Sequence, residues 1–250
     1  MIIYSEFVNK KLESLYVDVV DEVYIKLIPY KKKYFIKFLD EIKEFIKPTP
    51  EVLEIGSYYG VLGDLIKPLT KKYEGLELSI HATNYAKNNY NLEVFNESAE
   101  NFIKKKNTLD VVIMSHVIEH LDDPFILINN LQSKMNEGSL LIFTTYNMDS
   151  LIAKTLGKYY HWIMPMHKFY FTKNFLNNLM KKNNLELIKT KKDTHITSLN
   201  YLLKKIKSLF PYVNFIINPL INAKWTNKIN IKINLGDLDI YIYKKINKNL

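Results

Sequence analysis

VLEIGSYYG, residues 52–60, runs apolar, apolar, acidic, apolar, then breaks at Gly56 and again at Gly60, with Gly63 soon after. The chain holds only 7 glycines in 250 residues, so this grouping marks a turn with special demands. EVLEI (51–55) is a short apolar run of buried-strand type, and VLGDLIKPL after it reads as a helix. Glycine permits both a tight turn and the approach of a ligand to the backbone, because it has no Cβ. In open α/β sheets such turns lie at the carboxyl ends of strands, where ligands bind. Gly56 and Gly60 therefore fit a nucleotide-like ligand, or a strand-to-helix turn with no ligand; alone, the motif leaves the two readings level.

Working outward, the alternation continues. YEGLEL (73–78), LEVFN (92–96), LDVVIM (109–114) and SLLIFTT (139–145) read as strands. Between them IHATNYAKNN, SAENFIKK and DPFILINNLQSKM read as helices, the last opened by Asp-Pro. Strands alternating with helices predict a parallel sheet covered on both faces. Upstream, residues 1–47 read as helical, from Leu12, Leu15, Tyr16 and Val19 and then Tyr34, Phe35, Phe38, Leu39, Ile42 and Ile46, until Pro48 and Pro50. Downstream, 146–171 is rich in Tyr, His, Trp, Met and Phe. A helix over Lys173–Lys182 and a strand at LELIKT follow; 196–235 reads as helical or irregular, and DLDIYIYKK closes the chain as an alternating strand. No internal repeat is visible.

Composition narrows the function classes. Apolar residues at 47% exclude global disorder. The absence of cysteine excludes disulfides, thiolate zinc sites, iron–sulfur clusters and a cysteine nucleophile, and fits a cytoplasmic protein. The N-terminus lacks a signal-peptide core, and no run approaches the ~18 apolar residues of a spanning helix. The net charge of +9 suggests nucleic acid, but all 35 basic residues are lysine. Arginine supplies the bidentate contacts that nucleic-acid proteins favour, so no nucleic-acid partner is expected. The clusters Lys31–Lys33 and Lys104–Lys106 read as solvated faces.

Glu77 ends the second strand, 17 residues after Gly60. A carboxylate there can accept hydrogen bonds from both ribose hydroxyls of a bound nucleoside; the plain alternative is an exposed strand-end acid. A nicotinamide enzyme would want G-x-G-x-x-G, and Tyr58 stands where the first of those glycines belongs.

The order of motifs resembles the class I S-adenosylmethionine-dependent methyltransferases, in the subgroup that includes ubiquinone-type and surface-glycan methyltransferases. VLEIGSYYG resembles their first motif, GLELS their second, SAENF their third and LDVVIMSHVIEHLDDP their fourth. NEGSLLIFTTYN resembles the fifth strand, MHKFYFTKNFLNNLMKKNNLELI the stretch around the penultimate helix, and GDLDIYIYKK the closing strand. The resemblance implies a Rossmann-like, doubly wound seven-stranded mixed sheet, its last strand antiparallel. N-terminal helices would form a cap over 1–48. The methyltransferase domain would span 49–250, with a helical insertion before the last strand and acceptor-lid segments at about 146–171 and 196–235. It further implies an S-adenosylmethionine site. Glu54 and Gly56 would hold the methionine end, with Ser57 beside them, Gly60 would lie under the sugar and Glu77 would take the ribose. Leu78, Ser98 and Ala99 would flank the adenine, and Ser115 and His116 would lie at the reacting end. Tyr58 replaces the usual middle glycine, so a non-glycine backbone is expected there; Ser98 stands where the family often has an acid.

Transfer to an alcohol also removes a proton, which suits a histidine. His167, in the aromatic-rich lid, is the preferred base and His116 the second; packing of His167 against Tyr170 or Trp162 is the structural alternative. His116, Glu119 and His120 spell H-x-x-E-H, the string of inverted zinc metalloproteases, but it follows a buried strand and no third ligand motif is visible, which excludes that reading; the resemblance permits a divalent metal held by Glu119 and His120 in some members, and no metal is expected here. His120 reads as a structural helix-start residue. The aromatics of 158–171 suit a sugar, quinone or aromatic acceptor, or plain packing. FPYVNFIINPLI (210–221) suits a cover, a homodimer contact or a peripheral membrane contact. The expected acceptor is a small-molecule or glycan hydroxyl, most of all that of a sugar or sugar-nucleotide in polysaccharide biosynthesis. The alternatives are an NAD(P)-dependent oxidoreductase and an inactive cofactor-binding subunit.

Overall fold

The structure, a computed structural model, describes residues 2–4, 20–209, 212, 214–227 and 229–247. Leu12, Leu15, Tyr16 and Val19, part of the predicted N-terminal helix, lie outside these. In chain order the elements are β1 (Ile2–Tyr4), α1 (Glu22–Ile42), β2 (Glu51–Ile55), α2 (Val61–Ile66), β3 (Lys72–Leu76), α3 (Ile80–Tyr90), β4 (Val94–Phe95), α4 (Ala99–Lys104), β5 (Leu109–Ser115) and α5 (Pro124–Lys134). There follow β6 (Met135–Tyr146), α6 (Leu151–Leu156), β7 (Phe169–Phe171), α7 (Lys173–Lys182), β8 (Leu185–Lys192), β9 (His195–Ser198), α8 (Leu199–Leu209), α9 (Asn214–Asn222), β10 (Asn230–Ile233) and β11 (Leu238–Lys245).

Seven strands form one sheet in the order β4–β3–β2–β5–β6–β11–β8. The pairs from β4 to β6 are parallel, and β11 runs antiparallel to both neighbours. The strand order reverses between β2 and β5, which places a ligand crevice at their carboxyl ends.

Alternation along the strands builds two cores. Leu53, Ile55, Val112, Met114, Phe143 and Tyr241 face the side covered by α4, α5 and α7. Val52, Val111, Ile113, Ile142 and Ile240 face the side of α1, α2 and α3. β5 contributes to both, which is why its sequence is a continuous apolar run. Short polar residues start the helices: the side chains of Ser79, Ser98, Asp123, Ser150 and Thr172 accept N–H bonds at the starts of α3, α4, α5, α6 and α7.

The predicted strands differ at their ends and in four additions. The second strand stops at Leu76, so Glu77 lies just beyond it, and the third shrinks to Val94–Phe95. The fifth begins at Met135, ahead of the predicted start at Ser139. β1, inside the predicted helical cap, pairs antiparallel with β7, and β7 itself lies in the stretch left without structure. β9 and β10 pair antiparallel within the insertion expected to be helical or irregular. A three- or four-residue strand gives too little alternation to read; its partner decides its state. No described helix is long and apolar enough to cross a membrane.

Candidate active site

The β2–α2 turn carries the strain that its glycines announce. Gly56 and Gly60 have φ of 73° and 76°. Their second constraint is packing: a β-carbon on Gly56 would run into Val117, and one on Gly60 would lie 2.7 Å from the Ala86 β-carbon. Tyr58, expected to take an ordinary backbone, also adopts the left-handed region, at φ 46°. A non-glycine residue there costs about 1–2 kcal/mol. Three contacts offset it. The Tyr58 N–H donates to Glu77 Oε2 at 2.8 Å, its hydroxyl donates to Asp21 Oδ2 at 2.8 Å, and its ring meets Tyr24 and Tyr59 edge-on.

Glu77 is thus joined to the turn. Its other oxygen accepts the Ser79 N–H at 2.8 Å. The Leu78 backbone also bonds this carboxylate. The side chain is half-buried, and burial raises its carboxyl above the usual range against the opposing backbone bonds. Asn96 donates to the carbonyls of Glu77 and Leu78 and fixes this loop. Leu78 is 56% exposed beside it. Ser57 is buried next to Gly75. Ser98 spends its hydroxyl capping α4, and Ala99 is buried behind it. Glu54 is buried on the α2 side of the sheet, where it accepts the Tyr73 hydroxyl at 2.5 Å. Burial pushes its carboxyl up to about 8.

Helix α1 packs against this turn. Asp21 caps it and is held by both tyrosines of the turn, its N–H donating to Tyr59 Oη at 2.7 Å. Tyr24 follows, stacked on Tyr59. Lys31, read from sequence as part of a solvated face, is instead half-buried: burial lowers its amine's pKa against the charges of Asp21 and Asp193. Tyr34 donates to Asp193 at 2.6 Å and lies 3.5 Å from His116 Nε2. His116 follows Ser115 at the end of β5, with φ 56°, and its N–H donates to Thr144 Oγ1.

Beyond His116 the aromatic stretch 146–171 packs down. Lys168 and Phe169 N–H groups donate to the Glu119 carbonyl. Trp162 stacks on Tyr146 with ring centroids 4.5 Å apart, and Tyr146 lies between His116 and His167, at 5.6 and 5.1 Å. His167 is buried and its Nδ1 donates to the Trp162 carbonyl at 2.8 Å. Burial pushes this imidazole down to about 4. The aromatic stretch therefore packs largely on itself, and His167 makes the contacts with Tyr170 and Trp162 foreseen as its structural role.

The sequence and the fold match known proteins. Residues 29–190 match the family described as a methyltransferase domain. The chain belongs to that family. No curated protein sequence matches the chain. Among solved structures, the methyltransferase is similar to a SAM-dependent methyltransferase from Archaeoglobus fulgidus (19% identity, 90% of this chain and 100% of that one, TM-score 0.59). It is also similar to magnesium protoporphyrin IX methyltransferase from Synechocystis with bound SAH (12%, 94% and 93%, 0.58). A third is an S-adenosylmethionine-dependent methyltransferase from Clostridium acetobutylicum (12%, 90% and 97%, 0.57). At these identities the likeness is one of fold.

The methyltransferase thus brings Gly56, Ser57, Tyr58, Glu77 and Leu78 together around one turn, and sets Ser115 and His116 across the strand ends under α1. Sequence reasoning missed Asp21, Tyr24, Lys31, Tyr34 and Asp193. The first four are the end and one face of α1, and their only sequence signal is helical spacing shared with core positions. Asp193 gave no signal at all, since its role depends on β8 ending beside α1.

Proposed function

We propose that the chain transfers a methyl group from S-adenosylmethionine to a hydroxyl of a small-molecule or glycan acceptor, with a sugar or sugar-nucleotide the favoured class. The observation that carries the reading is Glu77, whose two oxygens are held by the Tyr58 and Ser79 N–H groups beside the glycine turn, at the strand end where a ribose would lie. The exposed Leu78 offers an apolar surface for the adenine. Gly56, Ser57, Gly60, Ser98 and Ala99 shape the backbone of the cradle, and Glu54 supports it from beneath through Tyr73. The cofactor supplies a methyl group already activated on a sulfonium. The protein's part is to align the acceptor and exclude water. His116 is placed to draw off the hydroxyl proton on its way to water, with Tyr34 and Thr144 fixing its ring and backbone. The 146–171 and 196–235 segments are the acceptor side.

The test is transfer of labelled methyl from S-adenosylmethionine to a panel of sugars, sugar-nucleotides and other hydroxylated small molecules. The expected result is label on at least one acceptor, with His116→Ala lowering kcat about 100-fold and leaving cofactor affinity in place. Cofactor binding with no transfer to any acceptor would favour an inactive cofactor-binding subunit instead.

A further inference from the structure

The insertion between β8 and β11 turns apolar side chains to solvent. Tyr212, Phe215, Ile216, Leu220, Trp225 and Ile229 are 36–77% exposed. In α9 the buried side holds Ile217, while Phe215, Ile216 and Leu220 stand outward. A surface helix ordinarily keeps its outer face charged or polar, yet the only polar residues of α9 are three asparagines.

The same insertion is one-sided in charge. Residues 194–236 carry Lys204, Lys205, Lys207, Lys224, Lys228 and Lys232 and no aspartate or glutamate, and so supply six of the chain's nine net positive charges. The acids that bracket it, Asp193 and Asp237, are buried and accept the hydroxyls of Tyr34 and Tyr160. Lys204 and Lys232 are exposed. We propose that this face docks on the surface of an anionic phospholipid bilayer, with its apolar side chains among the headgroups and its lysines against the phosphates.

The combination of charge and apolar surface selects this occupant. A second copy of the chain would bring six lysines against six. A nucleic acid would attract the lysines but leave Phe215, Ile216 and Leu220 facing a polyanionic backbone. An anionic bilayer satisfies both: its phosphates attract lysine, and the boundary below them takes up apolar side chains, tryptophan and tyrosine above all. The contact lies in the interface, since no described helix is long and apolar enough to cross a membrane.

The face is built and fastened. The Asn200 side chain, at the start of α8, donates to the Ile221 carbonyl of α9 at 2.6 Å and to Thr226 Oγ1 in the turn beyond it at 2.9 Å. The Leu199 N–H donates to the Ile229 carbonyl, and β9 pairs with β10 beneath. Lys37 of α1 donates to Thr194 Oγ1 at 2.6 Å, where the insertion begins. Docking would therefore orient the whole domain.

The test needs neither cofactor nor acceptor, and its outcome is independent of the methyl-transfer reading. Full-length chain is sedimented with vesicles of phosphatidylcholine alone and of an equimolar mixture of phosphatidylcholine and phosphatidylglycerol. Binding to the mixed vesicles only is expected, weakening as salt is raised. The double substitutions Phe215→Ser with Trp225→Ser, and Lys204→Glu with Lys232→Glu, should each weaken it by at least about tenfold. Leu69→Ser with Lys104→Glu, exposed positions outside the insertion, should not. Circular dichroism confirms that each variant is folded. In Trp162→Phe, Trp225 is the only tryptophan, and its emission should shift to the blue when mixed vesicles are added. No binding, binding that both double substitutions in the insertion leave unchanged, or binding without the shift overturns the proposal. So does self-association in sedimentation velocity, or binding to an oligonucleotide, that Phe215→Ser with Trp225→Ser abolishes while mixed vesicles fail to bind.

Discussion

Tyr58 shows how a single residue can hold a glycine's place. Its left-handed backbone is stabilised from three directions, by Glu77, Asp21 and two neighbouring rings. The departure from the usual glycine pattern was plain in the sequence. Its outcome was not, because the compensating groups lie 19 and 37 positions away. Glu77 was legible for the opposite reason: a carboxylate at a strand end is read from local pattern alone. Glu54 carries a prediction of its own. Burial first, with the Glu77 charge adding and the Tyr73 bond opposing, raises its carboxyl from 4.5 to about 8. Between those values the folded chain holds a proton that the unfolded chain has released, so stability falls as pH rises through the window and levels above 8. Urea unfolding at pH 5.5, 7 and 8.5 should show this decline in wild type and a flatter profile in Glu54→Gln. Parallel profiles would place the pH dependence elsewhere.

Among the elements, α1 decides how the site is closed. It is fastened at its start to the β2–α2 turn through Asp21 and further along to the end of β8 through Tyr34 and Asp193. Lys37 reaches Thr194, and Lys191 pairs with Glu41 and Glu44, so the same helix also secures the approach to the insertion. Removing the acceptor at Asp193 leaves a buried tyrosine hydroxyl without its charged partner. Asp193→Ala should therefore cost about 2 kcal/mol, read by urea unfolding, and Asp193→Asn should recover part of it. Equal loss in both variants would show that the charge, not the bond, matters. The helix itself was legible from Tyr34, Phe35, Phe38 and Ile42. The strands β1, β7, β9 and β10 were not, since each owes its state to a partner distant in sequence. The insertion stayed equally opaque in purpose: Phe215 is 77% exposed on α9, as a polar-apolar mixture with Pro and Asn neither required nor forbade.

At the scale of the whole molecule, the fold followed from a few strong signals. The apolar run of β5, the alternating β11 and the glycine-marked turn after β2 each depend on residues close in sequence, whereas the count of seven strands and the antiparallel last one followed from the family resemblance. The surroundings of His116 depended on the stretch 146–171 packing back against the residues after β5, which local pattern does not encode. It is there that His167 meets Glu119 and His120, a convergence invisible until β6 and β7 are placed. The central claim is that the cradle around Glu77 takes a sulfonium nucleoside rather than a dinucleotide. Isothermal titration of the full-length chain with S-adenosylmethionine, and separately with NADH, tests it most directly. One equivalent of S-adenosylmethionine is expected to bind, at least about tenfold more weakly in Glu77→Ala given the usual strength of hydrogen bonds to a charged group, with no binding of NADH. Binding of NADH, or S-adenosylmethionine binding that ignores the loss of Glu77, would contradict it.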